Sequence, residues 1–466
     1  MQLYLIAPFH SCFSLKASNY LEDEGYRAFW NAITVPLKKS FPDLALLHTT
    51  KSGCLRYEVI EQDSQLLKEE AVKFFECESL KNTIDEALAA ADTACLQEQL
   101  HGKIRYLTDS AAITLLDNTI GMFEIQFEFE DDIAQEHPMF ALNLQHWTNS
   151  VVRQILSQAY PSMIQPFIDK VISFDKKTLY IEKPGRHYGF PSVYPGESTK
   201  KFSRKTAIGE PLWVNRTIIQ EPGSEIPACF FNEWIFTNDD KSEVIRLLRQ
   251  GNNDEKKGVY LAWGNNYIYA GHDQQVVKDA KRILLLTQYF YVMFDSMSLN
   301  LSHVIGSARN IRRYSDSAVY NEILKELVDT VSLIEIKYID TLQNIQGNRE
   351  VFFRDLTEKW AFHEIMQNIE KKAQVCKNKI HEQYQKSFKK SQMMAELLLL
   401  FLGGISLLEF TNSIVTYWLT GGVDDGVSGL YNLGKVFPPN ALLWGALFLL
   451  SLFFFVYIKL YLSRKE

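Results

Sequence analysis

Two long apolar segments near the C-terminal end constrain this chain more than any other feature of its sequence. Met393–Leu419 contains two charged residues, Glu396 and Glu409, and Ala441–Leu462 contains one, Lys459. As an α-helix, each segment is long enough to cross the roughly 30 Å of hydrocarbon in a bilayer. We therefore expect two transmembrane helices at the C-terminus.

The rest of the chain has the composition of a water-soluble protein. Residues 1–392 carry charges of both signs, and strand-like and helical patterns follow one another along them. The predicted fold class is an α+β cytoplasmic head followed by long antiparallel helices and a continuous stalk and transmembrane helix. The predicted regions are 1–170 (α+β cytoplasmic domain), 171–272 (strand-rich part of the head), 273–392 (helical region and stalk), 393–420 (first transmembrane helix), 421–440 (outer loop), 441–462 (second transmembrane helix) and 463–466 (basic cytoplasmic tail).

Hydrophobic periodicity predicts the elements of the head. Strand patterns occur in "QLYLIAPF", "CLRYEVI", "AAITLL", "MFEIQFEFE", "TLYIEK", "PLWVNRTIIQ" and "CFFNEWIFT", and "GVYLAWGNNYIYAG" has the pattern of a hairpin. The segment "FALNLQHWTNSVVRQILSQAY" has an apolar stripe at helical spacing, and residues 65–99 are rich in helix-forming Ala, Leu and Glu. These patterns predict a mixed α+β head.

From Asp273 onward the pattern becomes helical. We predict helices over 273–308, 316–345 and 350–419, the last being continuous and about 105 Å long at 1.5 Å per residue. An apolar seam with 3-4 spacing lies on this last helix, at Met366, Ile369, Ala373, Cys376 and Ile380. Such a seam packs either around an oligomer axis or on a neighbouring helix of the same chain.

Basic residues flank the two apolar segments on the side away from the connecting loop. They are Lys386, Lys389, Lys390, Lys459, Arg464 and Lys465, whereas the loop holds Lys435 together with Asp424 and Asp425. Positive residues mark the cytoplasmic side, so we expect a multi-pass protein of the inner (plasma) membrane with both termini in the cytoplasm. The six cysteines are widely spaced and contain no CxxC pair, which favours reduced thiols over disulfides or a zinc site.

A polar stripe follows one face of the first apolar segment. Its members, spaced for one helical face with Asn412 at the edge, are Ser406, Glu409, Asn412, Ser413, Thr416 and Thr420. Polar groups inside membranes face a bundle interior or a water-filled cavity. In a symmetric oligomer, Glu409 becomes a ring of carboxylates, the arrangement that cation pores use, with Asp424 and Asp425 at the mouth. The alternative is a packing helix, which the adjacent Gly403 and Gly404 favour.

A basic and aromatic stretch stands out in a chain of net charge −7. Between Lys176 and Arg216 there are nine Lys or Arg against three Glu, with aromatic residues interleaved. Cations for phosphate and flat rings for a base are what nucleotide binding requires. The candidate ligand-binding residues are Arg186, Tyr188, Lys200, Lys201, Arg204, Lys205 and Trp213, with Arg309, Arg312 and Arg313 as a second basic cluster. A solvated basic loop is the alternative interpretation.

The order of these elements resembles the CorA family: a mixed head, antiparallel helices, a long stalk helix entering the membrane, a short outer loop and a second span with a basic tail. In that family five subunits assemble, the first span lines the pore, and divalent cations pass or regulate gating. The resemblance implies a homopentamer in a lipid membrane, a pore lined by Ser406 to Thr420, and a divalent cation such as magnesium.

One departure from the family directs the functional prediction. The Gly-Met-Asn filter motif is absent, and "TYWLTGGVDDG" stands at the corresponding place. Divergent members of the superfamily, encoded beside type III CRISPR systems, are described as membrane effectors controlled by a nucleotide second messenger, an S-adenosylmethionine–AMP conjugate. The missing motif and the enlarged head fit that branch.

The resulting prediction is a CorA-like, ligand-gated channel that acts in antiviral defence. The first alternative is a magnesium transporter of the CorA family, and the second is a membrane-anchored enzyme. The chain has no GxxxxGK[ST], HExxH or GxSxG motif and no GxGxxG after a strand, so we do not expect an enzyme. Apart from the divalent cation that the resemblance implies, no cofactor is expected, and no direct binding of nucleic acid is expected.

Overall fold

The computed structural model describes residues 1–14, 39, 44–46, 71–75, 78–94, 104–108, 110–116, 118–130, 134, 139–174, 209–220, 227–234, 258–262, 264–269, 274–307, 314–420 and 436–463. They form two compact units, Met1–Ile380 and His381–Glu466. The chain combines a sheet with many helices, as an α+β protein does.

The elements of the first unit are set out in chain order. The strands are β1 (Gln2–Ser14), β2 (Leu44–Leu46), β3 (Ala71–Phe75), β4 (Ile104–Tyr106), β5 (Ala112–Leu116), β6 (Asn118–Phe129), β7 (Asn215–Gln220), β8 (Gly258–Tyr260) and β9 (Asn265–Tyr269). The helices are α1 (Glu78–Ala94), α2 (Phe140–Ala159), α3 (Gln165–Phe174), α4 (Ala228–Glu233), α5 (Gln274–Ser307), α6 (Tyr314–Asn344), α7 (Asn348–Lys359) and α8 (Phe362–Leu419), the last of which continues into the second unit. A π-helical turn, Tyr160–Ile164, joins α2 to α3.

Within the described ranges, nine strands form one sheet. The strand order is β2-β3-β5-β6-β1-β7-β9-β8, and β4 pairs with β6. The long strands β1 and β6 are antiparallel, with Leu5 opposite Ile125, and β7 joins the other side of β1. The strands β7 and β9 are parallel, so their amino ends lie at the same edge of the sheet. Strands from both predicted parts of the head thus share one sheet.

The period-two pattern of the central strands matches a sheet that is covered on both faces. Leu3, Leu5 and Phe9 point into a core shared with α1 to α4. Tyr4 and Ile6 point into a second core formed with α5 to α8. Since side chains alternate along a strand, a slip of one residue would exchange the two sets. Both cores therefore fix the register of β1.

The predicted helices after residue 273 are largely confirmed, with one correction. The helices α5 and α6 match the predicted ranges, but the predicted continuous helix over 350–419 is wrong at its start. The helix α7 ends at Lys359, and Ala361 adopts a left-handed conformation with φ of 53° before α8 begins at Phe362. No Gly or Pro marks this break, and tertiary packing decides it. From Phe362 to Leu419 the helix is uninterrupted.

The seam of α8 packs on the same chain. Met366, Ile369, Ala373 and Cys376 are buried in the core that α5 and α6 also form, and Ile380 packs against it. Lys372 fixes α8 to α5 by donating to the Ser298 hydroxyl at 2.6 Å. Of the two interpretations of the seam, packing within the chain is therefore the one that the structure confirms.

The second unit contains the rest of α8 and the helix α9 (Pro439–Ser463). Among the described residues, one helix is long and apolar enough to cross a membrane, over Ser391–Tyr417. The apolar part of α9, Asn440–Phe455, is shorter. The second transmembrane helix, the multi-pass topology and the orientation of the termini stay predictions.

Other predictions have mixed outcomes. The β8–β9 hairpin and the helix α2 are confirmed, whereas "CFFNEWIFT" begins with the helix α4 rather than a strand. The helix expected over 65–99 is shorter, because residues 71–75 form β3 and α1 occupies Glu78–Ala94. The predicted strands "CLRYEVI" and "TLYIEK" lie outside the described residues. Cys229 and Cys376 are buried thiols that form no disulfide among the described residues, and burial raises the pKa of Cys376 to about 12.

Candidate functional site

The polar stripe of α8 is a surface feature of the single chain. All six predicted members are exposed: Ser406, Glu409, Asn412, Ser413, Thr416 and Thr420. Thr420 donates its hydroxyl proton to the Thr416 carbonyl at 2.8 Å, which satisfies one hydroxyl locally. The other predicted members present their polar groups on the outside of an otherwise apolar helix. The predicted mouth residues Asp424 and Asp425 lie outside the described residues.

The opposite face of α8 is covered by the second helix of the unit. Thr411, Ile414 and Val415 are buried, and a Cβ placed on Gly404 would lie 2.6 Å from Leu450 Cδ1 of α9. Tyr457 of α9 donates its hydroxyl proton to the Met393 carbonyl at 3.2 Å. The two helices therefore contact each other near Gly404 and near Met393.

The stripe and the packed face lie on opposite sides of the helix. Thr411 follows Glu409 by two positions, which is a rotation of about 200° at 3.6 residues per turn. Val415 follows Ser413 by the same step. Gly404 belongs to the packed face, so the close-packing alternative explains the glycine but not the stripe. Contact with α9 leaves every predicted stripe residue uncovered.

The same exposed face becomes apolar toward the beginning of the segment. Ala395, Leu398 and Leu402 continue the 3-4 spacing of the stripe, and all three side chains are exposed. The fractional exposure of Leu402 is 58%. One face of α8 thus has a polar half after Ser406 and an apolar half before it.

One of the predicted ligand-binding residues, Trp213, is among the described residues. Arg186, Tyr188, Lys200, Lys201, Arg204 and Lys205 lie outside the described residues, as do Arg309, Arg312 and Arg313. Trp213 is the exception. Its indole N–H donates to Gln288 of α5, and its ring contacts Tyr291 edge-on at 5.6 Å between centroids.

Trp213 lines a cavity of about 830 Å³ at the edge of the sheet. The wall comes from α2, from the segment that leads into β7, from the end of α4 and from the β8–β9 hairpin. Its described lining residues are Gln145, His146, Asn149, Ser150, Arg153, Gln154, Pro211, Leu212, Trp213, Val214, Arg216, Trp234, Tyr260, Ala262, Gly264 and Asn265. None of these residues is acidic.

Arg216 is the buried cation of this cavity. Its guanidinium donates to the Thr148 hydroxyl at 2.6 Å, to the Val214 carbonyl at 2.9 Å and to the side-chain oxygen of Asn149. It also donates to the Asn265 side-chain oxygen at 3.3 Å and to the Gln145 carbonyl at 3.2 Å. All these acceptors are neutral. Burial lowers the pKa of Arg216 from 12.5 to about 10, so the group keeps its charge at neutral pH.

Sequence reasoning missed the contribution of α2 to this cavity. His146, Asn149, Ser150 and Arg153 recur at helical spacing, opposite the buried face of the helix. That polar face is visible in the sequence, but a polar face on an amphipathic helix is usually only its solvated side. Only the packing of α2 beside β7 places it next to Arg216.

No group of three or more His, Cys, Asp or Glu side chains within the described ranges is arranged to hold a metal ion. The chain matches no family model, no curated protein and no solved structure.

Proposed function

We propose that the chain is one subunit of a homo-oligomeric membrane channel that conducts cations and is controlled by a ligand of its head. The observation that carries this proposal is the exposed polar stripe on the face of α8 opposite its contact with α9. The apolar helix Ser391–Tyr417 supports membrane insertion. In this proposal α9 is the second span, and both termini lie in the cytoplasm.

The energetics of a carboxylate in a bilayer favour an oligomer. A charged residue at the centre of a membrane helix costs about 2.5–3.5 kcal/mol on insertion scales. If the stripe faced lipid, Glu409, Asn412 and the hydroxyl side chains would be placed in hydrocarbon. Around a shared axis, the same residues line a water-filled path, while α9 faces outward. The CorA resemblance puts five subunits around that axis.

The apolar half of the exposed face supplies a way to keep such a path closed. Rings of Leu398 and Leu402 around the axis form a constriction that excludes water, and dry constrictions stop ions without a plug. A ligand opens the path only if it binds the open arrangement more tightly than the closed one. The absence of ion flux without ligand is what distinguishes this effector from a constitutive magnesium transporter.

Reversal potentials across proteoliposomes test the proposal. Leu402→Asn should hydrate the constriction and permit ion flux without ligand. In that background, Glu409→Gln should lower the cation-to-anion permeability ratio on the order of tenfold, because charges in a narrow, low-dielectric path interact more strongly than in water. Glu396→Gln is the matched control, since Glu396 is half-buried, accepts a hydrogen bond from Gln392 and lies off the stripe.

Two results would contradict the channel. An equal permeability ratio for the Glu409 and Glu396 variants would return Glu409 to a packing role. A detergent-solubilised chain that runs as a monomer in mass photometry would remove the shared axis altogether.

A further inference from the structure

The cavity beside Arg216 has the charge balance of an anion site. Its described lining contains Arg153, Arg216 and His146, and no Asp or Glu. Arg153 and His146 are exposed, so their side chains are available to a molecule in the cavity. Lys359 adds a cation near the rim, 5.4 Å above the Tyr260 ring. This local excess of positive charge occurs in a chain whose net charge is −7.

Arg216 acts on the cavity through two asparagines. The Arg216 guanidinium donates to the side-chain oxygens of Asn149 and Asn265 and so fixes the orientation of both side-chain amides. The NH₂ group of each amide, with its two N–H donors, then points away from the guanidinium. A buried charge whose described partners are all neutral thus orients two neutral donors at the cavity wall. Donors and positive charge together are what a phosphate or carboxylate needs.

The aromatic walls are held rigidly. The indole of Trp213 is fixed by its hydrogen bond to Gln288 and by the ring of Tyr291. The indole of Trp234 donates to the Ala141 carbonyl at 3.1 Å. Rings that are already fixed lose little conformational freedom when a flat molecule stacks on them. The cavity therefore suits a ligand with a planar ring.

The size of the cavity also suits a small molecule. At about 830 Å³ the cavity is within the size range of small-molecule and cofactor sites.

We propose that this cavity binds a nucleoside phosphate, with the phosphate near Arg153, His146 and the two asparagines and the base against Trp213. That the bound nucleotide controls a channel rests on the proposed function, whereas nucleotide binding to the cavity does not. Of the predicted basic and aromatic stretch, this site uses the last members, Trp213 and Arg216.

Binding to the full-length, detergent-solubilised chain tests the site. The probes are ATP, AMP, adenosine and inorganic phosphate, followed by calorimetry and by quenching of tryptophan fluorescence. We expect ATP or AMP to bind more tightly than adenosine or phosphate. Arg153→Ala should weaken that binding about tenfold to a hundredfold, as loss of a charged hydrogen bond does. His146→Ala should weaken it in the same direction.

The control is Lys81→Ala, which removes an exposed lysine of α1 outside the cavity lining. It should leave the affinity unchanged. Failure of all four probes to bind at millimolar concentration would overturn the site, as would nucleotide binding that neither Arg153→Ala nor His146→Ala weakens. Nucleotide binding without ion flux in proteoliposomes would refute the channel and leave the site standing.

Discussion

The two units of this chain place their apolar side chains in opposite ways. In Met1–Ile380 the large apolar residues of the central strands are inside, and Leu5 and Phe9 have no exposed surface. In His381–Glu466 they are outside, with Phe401 exposed at 66% and Trp444 at 72%. Among the described residues of this second unit, only a narrow strip of α8 is covered, by α9.

The comparison is the one expected if the first unit folds in water and the second lies in lipid, as in the proposed channel. Water drives apolar groups into cores, and each core residue is held by neighbours on every side. Lipid tails are as apolar as leucine, so helices there associate through close packing and polar contacts instead. A change in side-chain volume should therefore destabilise the first unit strongly and the second unit only slightly. Two glycines, one in each unit, test this difference.

The largest effect is expected at Gly121 in β6. A Cβ at this position would lie 2.2 Å from Phe9 Cζ, and the Phe9 ring is fully buried. Because neither group has room to move, Gly121→Ala should lower the free energy of unfolding by about 3 kcal/mol, the upper part of the range for overpacked cores. Denaturant unfolding of the detergent-solubilised chain, followed by near-UV circular dichroism, measures the loss. Gly264→Ala is the control, because no atom lies within 4 Å of its added Cβ.

A smaller effect is expected at Gly404 in α8. Its added Cβ would meet Leu450 Cδ1 at 2.6 Å, but that methyl is the end of a flexible side chain. Gly403→Ala is the matched control, because nothing lies within 4 Å of its Cβ, and both changes gain the same helix propensity. Gly404→Ala should be less stable than Gly403→Ala by about 1 kcal/mol in thermal unfolding. A difference as large as the loss at Gly121 would contradict the view that the second unit is less sensitive to added side-chain volume.

A gain of stability is expected at the break between α7 and α8. Ala361 has a φ of 53°, and a left-handed conformation costs a residue with a Cβ about 1–2 kcal/mol, whereas glycine adopts it freely. Glycine also loses more backbone entropy on folding, so Ala361→Gly should raise the free energy of unfolding by about 0.5–1 kcal/mol. Ala373→Gly, in the buried helical part of α8, should lower it. Loss of stability in both variants would contradict a strained Ala361.

The last prediction concerns the pH dependence that Lys281 of α5 gives to stability. Burial lowers its pKa from 10.5 to about 8, a shift that the nearby Glu124 partly opposes. Between these two values the unfolded chain binds a proton that the folded chain does not, so stability from this group rises as the pH increases from 8 to 10.5. Lys281→Met should remove that rise while leaving the slope below pH 7 unchanged. The free energy of unfolding of the parent chain and of Lys281→Met, measured from pH 6 to 10.5, gives the difference. Parallel curves would show that folding does not lower the pKa of Lys281.

Local patterns were enough for most elements. The alternation of "MFEIQFEFE", the apolar stripe of α2 and the helices α5 and α6 all appear in the sequence, because each depends on residues close together in the chain. The strand predicted over "CFFNEWIFT" was wrong, since Phe230 and Trp234 are buried in the same core from a helix. A short apolar run does not distinguish the two structures.

The sequence by itself determined that the chain carries an apolar helix with a polar stripe, because helical spacing alone puts Glu409 and its neighbours on one face. Tertiary structure decided what covers the other faces. It directed the seam of α8 into the chain's own core, placed α9 opposite the stripe, and broke the helix at Ala361. It also assembled the Arg216 cavity from α2, β7 and the β8–β9 hairpin. The physical reason is that periodicity is a local property, whereas strand pairing and helix packing join residues far apart in the sequence.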